Sequence, residues 1–286
     1  MAETVDVIVV GMGPGGEAAA AALARAGLDV LAIEARLVGG ECPYYGCIPS
    51  KMMVRAANAL AEARRVPDLA GGAQVSPDFG VVAQRIRQEA TDNWNDQAAV
   101  DRFEKAGGRL VRGRAKLLNN HDVEVGDQEF TARRAIIVNT GTDPAVPPIP
   151  GLADTPFWTN RDAVAATQAP SSLIVIGGGA IGLELGQAFA RFGTQVQVVE
   201  AAPQILPGEE PESADLLAGV LAGEGIGVHT GVKVDSVHYD DGRFALTGGE
   251  LRVGAERLLV ATGRRSDFAG LGLASIGVDT TQRYLN

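Results

Sequence analysis

Apolar and polar positions follow the same order twice along the chain. Each copy begins with a short apolar run, VDVIVV in the first and SLIVI in the second, which predicts a parallel strand buried on both faces. A glycine-rich turn, a run of strong helix formers and a second apolar run that ends in an acid follow in both copies. The interval from the first glycine to the acid is 23 residues both times, from Gly11 to Glu34 and from Gly177 to Glu200. This repeat predicts two β–α–β units of one plan.

Both copies continue alike beyond the acid. Each has a polar segment typical of a hairpin, VEVGDQEFTARR or FALTGGELRVGAER, and then an apolar strand that ends in Thr-Gly. The two Thr-Gly pairs are Thr140 with Gly141 and Thr262 with Gly263, and we expect both pairs to contact a cofactor. The predicted fold class is therefore α/β, with two Rossmann-like dinucleotide-binding domains, each with a βαβ unit and a small antiparallel β-meander.

The first copy is the longer of the two, and a proline-rich linker separates them. Between its acid and its Thr-Gly, the first copy has 44 more residues than the second. These residues predict two helical segments, near residues 50–65 and 80–106. Four of the ten residues of TDPAVPPIPG, at 142–151, are proline, which is typical of an extended domain boundary. The predicted domains are therefore residues 1–150 and 151–270.

Composition and charge exclude several classes of protein. A chain of 286 residues, 46% of them hydrophobic, is long enough to bury two cores. Its net charge of −10 argues against nucleic-acid binding, since neutralising phosphate requires an excess of Lys and Arg. The first residues lack the basic segment of a secretory signal, and no run of about 18 apolar residues predicts a membrane span. We expect a cytoplasmic protein with no nucleic-acid or membrane partner.

The glycine-rich turns match G-x-G-x-x-G between a strand and a helix, the context in which this motif predicts dinucleotide binding. The first glycine permits the tight turn, the second lets the backbone approach a pyrophosphate, and the third allows close helix packing. The helix amino terminus adds free N–H groups and a positive dipole. The predicted cofactor-binding glycines are Gly11, Gly13 and Gly16 in the first copy and Gly177, Gly179 and Gly182 in the second.

The acids that end the second strands predict which dinucleotides bind. Glu34 and Glu200 would each accept hydrogen bonds from a ribose 2′-hydroxyl. A carboxylate repels a 2′-phosphate, and the stretch AAPQIL that follows Glu200 has no Arg or Lys to attract one. The second copy is therefore predicted to favour NADH over NADPH.

The chain has two cysteines, Cys42 and Cys47, both in the stretch GGECPYYGCIPSK. A zinc site needs about four ligands, and the spacing of the histidines His121, His229 and His238 does not bring them together. A structural disulfide between cysteines five positions apart would close a short loop and restrict the unfolded chain little. We therefore predict no metal site and favour a redox-active pair over a structural disulfide.

The surroundings of the cysteines also favour electron transfer. Cys47 precedes Pro49, a residue suited to the first turn of a helix, so its sulfur is expected near a helix amino terminus, where the dipole favours a thiolate. Gly40 and Gly46 would let the segment press closely against a neighbour. A thiolate held against a flavin can exchange two electrons, which a nicotinamide supplies as hydride.

Together, GGECPYYGCIPSK, GMGPGG, GGGAIGLE and ATGRR resemble the pyridine nucleotide-disulfide oxidoreductase family, in its large-subunit class, and the resemblance covers essentially the whole chain. It implies that residues 1–150 bind FAD, that residues 151–270 bind NADH or NADPH, and that residues 271–286 begin a return to the FAD domain. It also implies a carboxyl-terminal dimerisation domain, which is absent from this chain, and a homodimer of the full-length protein.

The resemblance implies roles for four residues. Cys47 would be the thiol next to the flavin, and Cys42 the thiol that attacks the substrate. Lys51 matches a lysine beside the flavin that pairs with a glutamate, here Glu184, and a buried cation there would stabilise negative charge on reduced flavin. Close to the cysteines the chain departs from the usual family pattern, at Glu41, Tyr44 and Tyr45.

The expected function is that of an FAD-dependent NAD(P)H:disulfide oxidoreductase, in which hydride passes from nicotinamide through flavin to the Cys42–Cys47 disulfide and on to a substrate disulfide. Alternatives are a mercuric-type metal-ion reductase, which would use the same thiols on a soft cation, and a dihydrolipoamide dehydrogenase. In a different class of function, the fold would be a non-catalytic redox-sensing or nucleotide-binding module. The expected partner is a small-molecule disulfide or a metal ion.

Overall fold

The computed structural model describes residues 2–268 and 270–280. The strands are β1 (Glu3–Val10), β2 (Val30–Glu34), β3 (Arg109–Arg112), β4 (Ala115–Leu117), β5 (Asp122–Val125), β6 (Gln128–Val138), β7 (Asp143–Pro144), β8 (Ser172–Ile176), β9 (Gln195–Val199), β10 (Gly227–His229), β11 (Ser236–Asp240), β12 (Arg243–Gly248), β13 (Leu251–Ala255), β14 (Arg257–Val260) and β15 (Arg264–Arg265). The helices are α1 (Pro14–Arg25), α2 (Glu41–Tyr45), α3 (Cys47–Leu69), α4 (Phe79–Arg85), α5 (Gln97–Lys105), α6 (Asn160–Ala165), α7 (Ala180–Arg191) and α8 (Pro211–Gly223). A π-helical turn spans Ile86–Ala90, and a 3-10 turn spans Leu273–Ile276.

The chain folds into two compact units. The first unit contains residues 2–44 and 91–143 together with the described residues from 265 onward, and the second contains residues 45–90 and 144–264. The units therefore do not follow the boundaries near residues 150 and 270 that the sequence predicted. The reason is that α3 packs along α7, which brings residues 45–90 into the second unit.

The first unit is built on one six-stranded sheet, in the order β3-β2-β1-β6-β5-β4. Strand β1 lies parallel to both β2 and β6, while β4, β5 and the start of β6 form an antiparallel meander. The end of the predicted hairpin segment and the apolar strand that follows it, which were predicted as separate elements, form one continuous strand, β6. The meander thus extends the parallel sheet, and it lies on the far side of β1 from β2.

The second unit repeats this plan with one difference. Its parallel sheet has the order β10-β9-β8-β14, and its antiparallel meander, β11-β12-β13, is a separate sheet. Strand β8 coincides with the predicted run SLIVI, and all five of its residues are buried. The predicted α/β class, with a βαβ unit and a meander in each of two Rossmann-like units, is confirmed.

Each face of the first unit's sheet carries its own hydrophobic core, because alternate residues of β1 point to opposite faces. Val7 and Val9 pack on one side with α1 and with Phe103 of α5. Ile8 and Val10 pack on the other side with the meander. This two-sided burial is what an uninterrupted apolar run predicts for a parallel strand.

The prediction of a helical segment near residues 80–106 is wrong for the middle of that range. Helix α4 passes into the π-helical turn, the chain leaves helical geometry at Thr91, and α5 begins only at Gln97. Asp92, Asn93 and Trp94 have φ values of 46°, 55° and 56°, which place three consecutive residues in the left-handed region. Asp and Asn tolerate this region because their short side chains bond locally to the backbone, so the stretch TDNWND ends one helix and separates it from the next.

In the second unit, Glu256 lies just before β14 and is hydrogen-bonded to Ser171, which lies just before the neighbouring strand β8. Its Oε2 accepts hydrogen bonds from the backbone N–H and the hydroxyl of Ser171, both at 2.9 Å. These two bonds lower the pKa of the carboxyl below its ordinary value of 4.5. A lowered pKa stabilises the folded state above pH 4.5, and this contribution is lost as the pH falls through the folded-state pKa.

We therefore expect Glu256→Gln to lower the free energy of unfolding at pH 7 by about 0.5–1 kcal/mol, a modest effect because the side chain is partly exposed. The difference from the parent chain should shrink as the pH falls from 5 towards 3. Urea unfolding at a series of pH values measures this. Glu250→Gln removes an exposed acid of the same unit and controls for the lost charge. An equal loss at every pH would contradict the linkage.

Candidate dinucleotide and thiol sites

The first glycine loop lies between β1 and α1 and is held tightly by the protein's own backbone. Gly11 has a φ of 93°, and a Cβ built on it would lie closer than 3.0 Å to the carbonyl oxygen of Asn139. A Cβ on Gly16 would lie equally close to the carbonyl oxygen of Gly11. Gly11 is therefore required for the tight turn, and Gly16 is required for the close packing of α1 against it.

The second loop, between β8 and α7, has the same construction. Gly177 has a φ of 112°, and a Cβ on it would lie closer than 3.0 Å to the carbonyl oxygen of Ala261. A Cβ on Gly182 would meet the carbonyl oxygen of Gly177 at a similar distance. The two loops thus place strand, turn and helix in the same geometry.

The middle glycine of each loop is different, because packing within the protein does not require it. Gly179 has an ordinary φ of −83°, and among the described residues no atom lies within 4 Å of a Cβ built on it. For Gly13, with a φ of −65°, such a Cβ would have Asn139 Nδ2 at 3.6 Å, an ordinary contact. Gly179 therefore leaves open space at the first turn of its helix, and Gly13 leaves room at the same position of its own, the cradle of each loop, where a pyrophosphate requires close access to the backbone.

The acid at the end of each second strand is fixed by backbone groups. Glu34 Oε2 accepts from Met12 N–H at 2.7 Å, and Oε1 accepts from Arg36 N–H at 2.7 Å. Glu200 repeats this, with Gly178 N–H at 2.6 Å and Ala202 N–H at 2.7 Å. Each carboxylate oxygen keeps a second lone pair. The residues therefore fit a pair of ribose hydroxyls, and the carboxylates cannot turn away without losing these bonds.

A cavity of about 970 Å³ opens beside the second loop. Its size is within the range of small-molecule and cofactor sites. One wall is the proline-rich segment 147–150, and Thr262 Oγ1 donates to Ala145 O at 2.7 Å to hold the start of that segment. The cavity is lined by Gly177, Gly179, Glu200, Thr262 and Gly263 among other residues, so the structure brings together all but one of the residues predicted for the second site.

The missing member of that set is Gly182, which lies beneath the loop and packs against it. In the first unit, Thr140 is exposed, and Gly141 has a φ of 69°. Both follow β6 directly, and β6 is the neighbour of β1 in the sheet. The first glycine loop, Glu34 and the Thr-Gly pair therefore share the carboxyl edge of one sheet.

Gly40 brings the cysteine segment against the first glycine loop. A Cβ on Gly40 would lie 2.7 Å from the Cα of Gly13, and Gly40 has a φ of 65°. A side chain is thus excluded at this position both by space and by backbone conformation. The close approach predicted for Gly40 is present, and it places the residues before Cys42 beside the cradle of the first loop.

The two cysteines occupy the helices that follow. Cys42 is the second residue of α2 and is partly exposed, and Cys47 is the first residue of α3 and is exposed. The predicted helix start at the second thiol is therefore present. Among the residues that the structure describes, no cluster of three His, Cys, Asp or Glu side chains is arranged to hold a metal ion.

Lys51 and Glu184 form an ion pair in the second unit, between α3 and α7. The pairing implied by the sequence is present, but the expected buried environment is wrong. The Lys51 side chain is 59% exposed and that of Glu184 is 43% exposed. The two helices contact each other through buried residues such as Met53 and Leu185, which leaves the ion pair at the rim of their interface.

Sequence reasoning missed Asn139, whose side chain lies over the first glycine loop. Its Nδ2 lies 3.4 Å from the carbonyl oxygen of Gly11, and its Oδ1 would be 2.9 Å from a Cβ on Gly15. The equivalent residues of the second copy are Ala261 and Ile181. An alanine there leaves room for isoleucine in the loop, whereas Asn139 requires glycine. The difference between NTG and ATG was the signal in the sequence.

The fold and these sites define a protein with two dinucleotide-binding units and a cysteine pair that starts beside the first of them. The chain belongs to the pyridine nucleotide-disulphide oxidoreductase family, whose model matches residues 5–285. The resemblance inferred from the motifs is thus confirmed. None of the helices that the structure describes is long and apolar enough to cross a membrane.

Relatives named mercuric reductase and relatives named dihydrolipoyl dehydrogenase match almost the whole chain. The mercuric reductase of Acidithiobacillus ferrooxidans is 34% identical over an alignment of 283 positions, which covers 96% of this chain and 51% of that protein. The dihydrolipoyl dehydrogenase of Thermus scotoductus is 35% identical over an alignment of 302 positions, which covers 98% of this chain and 62% of that protein. The chain therefore spans about half to three fifths of the length of these relatives.

A solved structure matches the fold closely. The Cu(II) complex of the HOCl-induced flavoprotein disulfide reductase RclA from Escherichia coli superposes with a TM-score of 0.87 and 27% sequence identity. The match covers 99% of this chain and 62% of that chain. The two-unit architecture is thus shared with a flavoprotein disulfide reductase.

Proposed function

We propose that this chain forms the FAD- and NADH-binding part of a disulfide oxidoreductase whose redox-active disulfide joins Cys42 and Cys47. The observation that carries the proposal is the contact of Gly40 with the cradle of the first glycine loop. This contact supports a position of the segment that leads to both cysteines next to the dinucleotide proposed for the first loop. The family and the names of the relatives support the same reaction class.

The first unit is proposed to hold FAD and the second to hold the nicotinamide dinucleotide. In the first unit, the N–H groups at the start of α1 would bind the pyrophosphate, and Glu34 would bind the adenosine ribose. When bound, FAD accepts hydride from the nicotinamide and passes two electrons to a disulfide. The first domain of the proposal corresponds to residues 1–150 and the second to residues 151–270, which the compact units cross at residues 45–90.

NADH is the proposed reductant of the second unit. Glu200 lines the cavity, and the N–H groups of Gly178 and Ala202 hold its carboxylate in place. A 2′-phosphate in this position would meet a fixed negative charge, whereas a 2′-hydroxyl can donate to the remaining lone pairs. The geometry therefore supports the preference that the sequence predicted.

The two thiols are proposed to have the distinct roles that the resemblance to the family implies. Cys47 is the first residue of α3, at the end of the helix where the N–H groups have no partner within the helix, and it is proposed as the thiol next to the flavin. Cys42, on the short helix α2, is proposed as the thiol that attacks the substrate disulfide. Lys51 lies one turn after Cys47, and its ion pair with Glu184 fixes the ammonium group on that side of the helix.

Thiol counting after addition of NADH tests the proposal directly. The oxidised chain is reconstituted with FAD, treated with NADH in the absence of oxygen and denatured, and its thiols are counted with a chromogenic disulfide. We expect two new thiols per chain for the parent protein, and no NADH-dependent gain for Cys42→Ser or Cys47→Ser, since neither variant can form the disulfide. NADH binding by both variants, measured by fluorescence, is the control. Tight NADH binding by the parent without any gain of thiols would instead indicate a non-catalytic nucleotide-binding module.

A metal-ion reductase is the second candidate, because thiols that are exposed or partly exposed are accessible to soft cations. Several relatives are named mercuric reductase. Oxidation of NADH that depends on Hg(II), measured beside oxidation that depends on lipoamide or glutathione disulfide, distinguishes the two reactions.

A further inference from the structure

We propose that Trp94 and Asp96 are positioning residues for Cys42. They belong to the turn between the π-helical turn and α5, which is distant in sequence from the thiols. The proposal rests on the proposed function in one respect, because it takes Cys42 as a reacting thiol. It adds a group of residues that contribute no atom to either dinucleotide loop and that determine where this thiol lies.

The turn adopts a conformation that side chains ordinarily avoid. Asp92, Asn93 and Trp94 are three consecutive left-handed residues, and each such residue costs conformational free energy when it is not glycine. Local bonds close the turn, since Asn95 N–H donates to Thr91 O at 3.0 Å and Trp94 N–H donates to Thr91 Oγ1 at 3.3 Å. A strained turn of this kind persists where the surrounding structure gains from the side chains that it directs.

The turn directs two of its side chains to the two sides of Cys42. The indole Nε1–H of Trp94 donates to Tyr44 O at 3.3 Å. The carboxylate of Asp96 accepts from Val38 N–H at 2.6 Å. Val38 lies four residues before Cys42, and Tyr44 lies two residues after it. Both ends of the loop that carries this thiol are therefore attached to the same turn.

The anchor at Asp96 is rigid because the carboxylate is buried and paired. Arg112 Nη2 donates to Asp96 Oδ2 at 2.5 Å, and Arg112 Nη1 donates to Arg36 O at 2.7 Å. A buried carboxylate that holds both a guanidinium and a backbone N–H has little freedom to move. The charge pair thus secures Val38 and, through Arg36, the chain segment just before it.

The second anchor of the turn is Tyr44, whose backbone carbonyl accepts the bond from Trp94. The Tyr44 side chain is buried, and burial raises the pKa of its hydroxyl above the ordinary 10, with a further contribution from the charge of Asp96. The ring stays neutral and packed throughout the physiological pH range. The bond from Trp94 therefore attaches to a residue whose side chain is packed in the protein interior.

Cys42 depends on these anchors because its own helix cannot hold it. Helix α2 has five residues, far fewer than an independently stable helix needs. Disulfide formation and exchange require narrow limits on the separation and torsion of the sulfurs. Fixing the residues on either side of Cys42 is a direct way to meet these limits, which is the role that the structure assigns to the turn.

Thiol chemistry of the full chain tests this assignment. The reduced protein is mixed with glutathione disulfide, which takes two electrons and two protons from the thiols, leaves as two glutathione molecules and yields the Cys42–Cys47 disulfide. Mass spectrometry follows closure of this disulfide, and brief alkylation with iodoacetamide gives the reactivity of Cys42 relative to Cys47. We expect Trp94→Phe, which keeps a ring but removes the N–H donor, to slow closure about tenfold and to change the alkylation ratio several-fold.

Two control variants separate positioning from general stability. Trp158→Phe removes the indole N–H of the other tryptophan, in the second unit, and should leave closure and the alkylation ratio unchanged. Asn93→Gly relieves left-handed strain while keeping the Trp94 side chain, so it should raise the urea midpoint and leave closure unchanged. Asp96→Asn, a second variant of the anchor, should act in the same direction as Trp94→Phe.

The outcomes are distinguishable. Closure and an alkylation ratio in Trp94→Phe and Asp96→Asn that match the parent chain, with both variants folded, would overturn the positioning role. If the parent chain forms no intrachain disulfide, the proposed function fails, and the alkylation ratio alone then decides whether the turn positions Cys42. A fall in the urea midpoint without any change in the ratio would show that the turn is merely structural and would refute the proposal.

Discussion

Replacing Gly179 with valine is expected to abolish NADH binding by the second unit while leaving that unit folded. The backbone at Gly179 has an ordinary φ, and the described residues leave open space where a Cβ would lie. A valine side chain therefore fits the protein but fills the cradle that a pyrophosphate would occupy at the start of α7. Because the N–H groups of that turn become inaccessible, we expect the dissociation constant for NADH to rise by at least about a hundredfold.

The matched control is the third glycine of the same loop. A side chain on Gly182 would collide with the carbonyl oxygen of Gly177, so Gly182→Val should lose cooperative unfolding of the second unit as well as NADH binding. Quenching of protein fluorescence by NADH and urea unfolding, measured side by side, separate the two effects. If Gly179→Val binds NADH as tightly as the parent chain, the cavity beside the second loop is not the dinucleotide site.

Removing the charge of Glu200 is expected to reverse the preference of the second unit for NADH over NADPH. Glu200→Gln keeps an amide oxygen that can accept one of the two backbone hydrogen bonds, but it removes the negative charge that opposes a 2′-phosphate. At the effective dielectric constant of a partly exposed site, two charges about 4 Å apart interact by a few kcal/mol. After screening, we expect NADPH to bind about ten- to a hundredfold more tightly than in the parent chain. NADH should bind several-fold more weakly.

Titration of each coenzyme against both proteins measures the ratio of dissociation constants. The internal repeat supplies the control, since Glu34→Gln makes the same change in the first unit, where the carboxylate has equivalent bonds from Met12 and Arg36. This variant should leave the coenzyme ratio unchanged. An unaltered ratio in Glu200→Gln would mean that another group in the cavity, such as Lys233, sets the preference.

Much of the fold could be predicted from local sequence patterns. Strand β8 lies where the apolar run SLIVI placed it, and both glycine loops have the first and third glycines in conformations that a side chain would prevent. These features depend on residues that are close in sequence, because strand burial, turn geometry and the start of a helix are determined mainly by neighbouring residues. The equal spacing of the two copies then predicted that Glu34 and Glu200 would have equivalent surroundings.

Other features depend on contacts that no local pattern records. The membership of α3 in the second unit follows from its packing on α7, which begins well over a hundred residues later. The exposed position of Lys51 follows from the same packing. The left-handed turn at residues 92–94 lies within a stretch whose composition suits a helix on either side. Its bonds to Val38 and Tyr44 could be seen only once the chain was folded.

The discontinuous first unit has a consequence for synthesis on the ribosome. Leu271 and Leu273 complete the core on one face of its sheet, and Gly272 packs against Leu117 of β4. Residues 271–273 must therefore be synthesised before the core that contains β1 can close. The second unit, which ends at residue 264, can finish its own core sooner. Although its glycine loop is made later, the second unit is the one that vectorial synthesis allows to mature first.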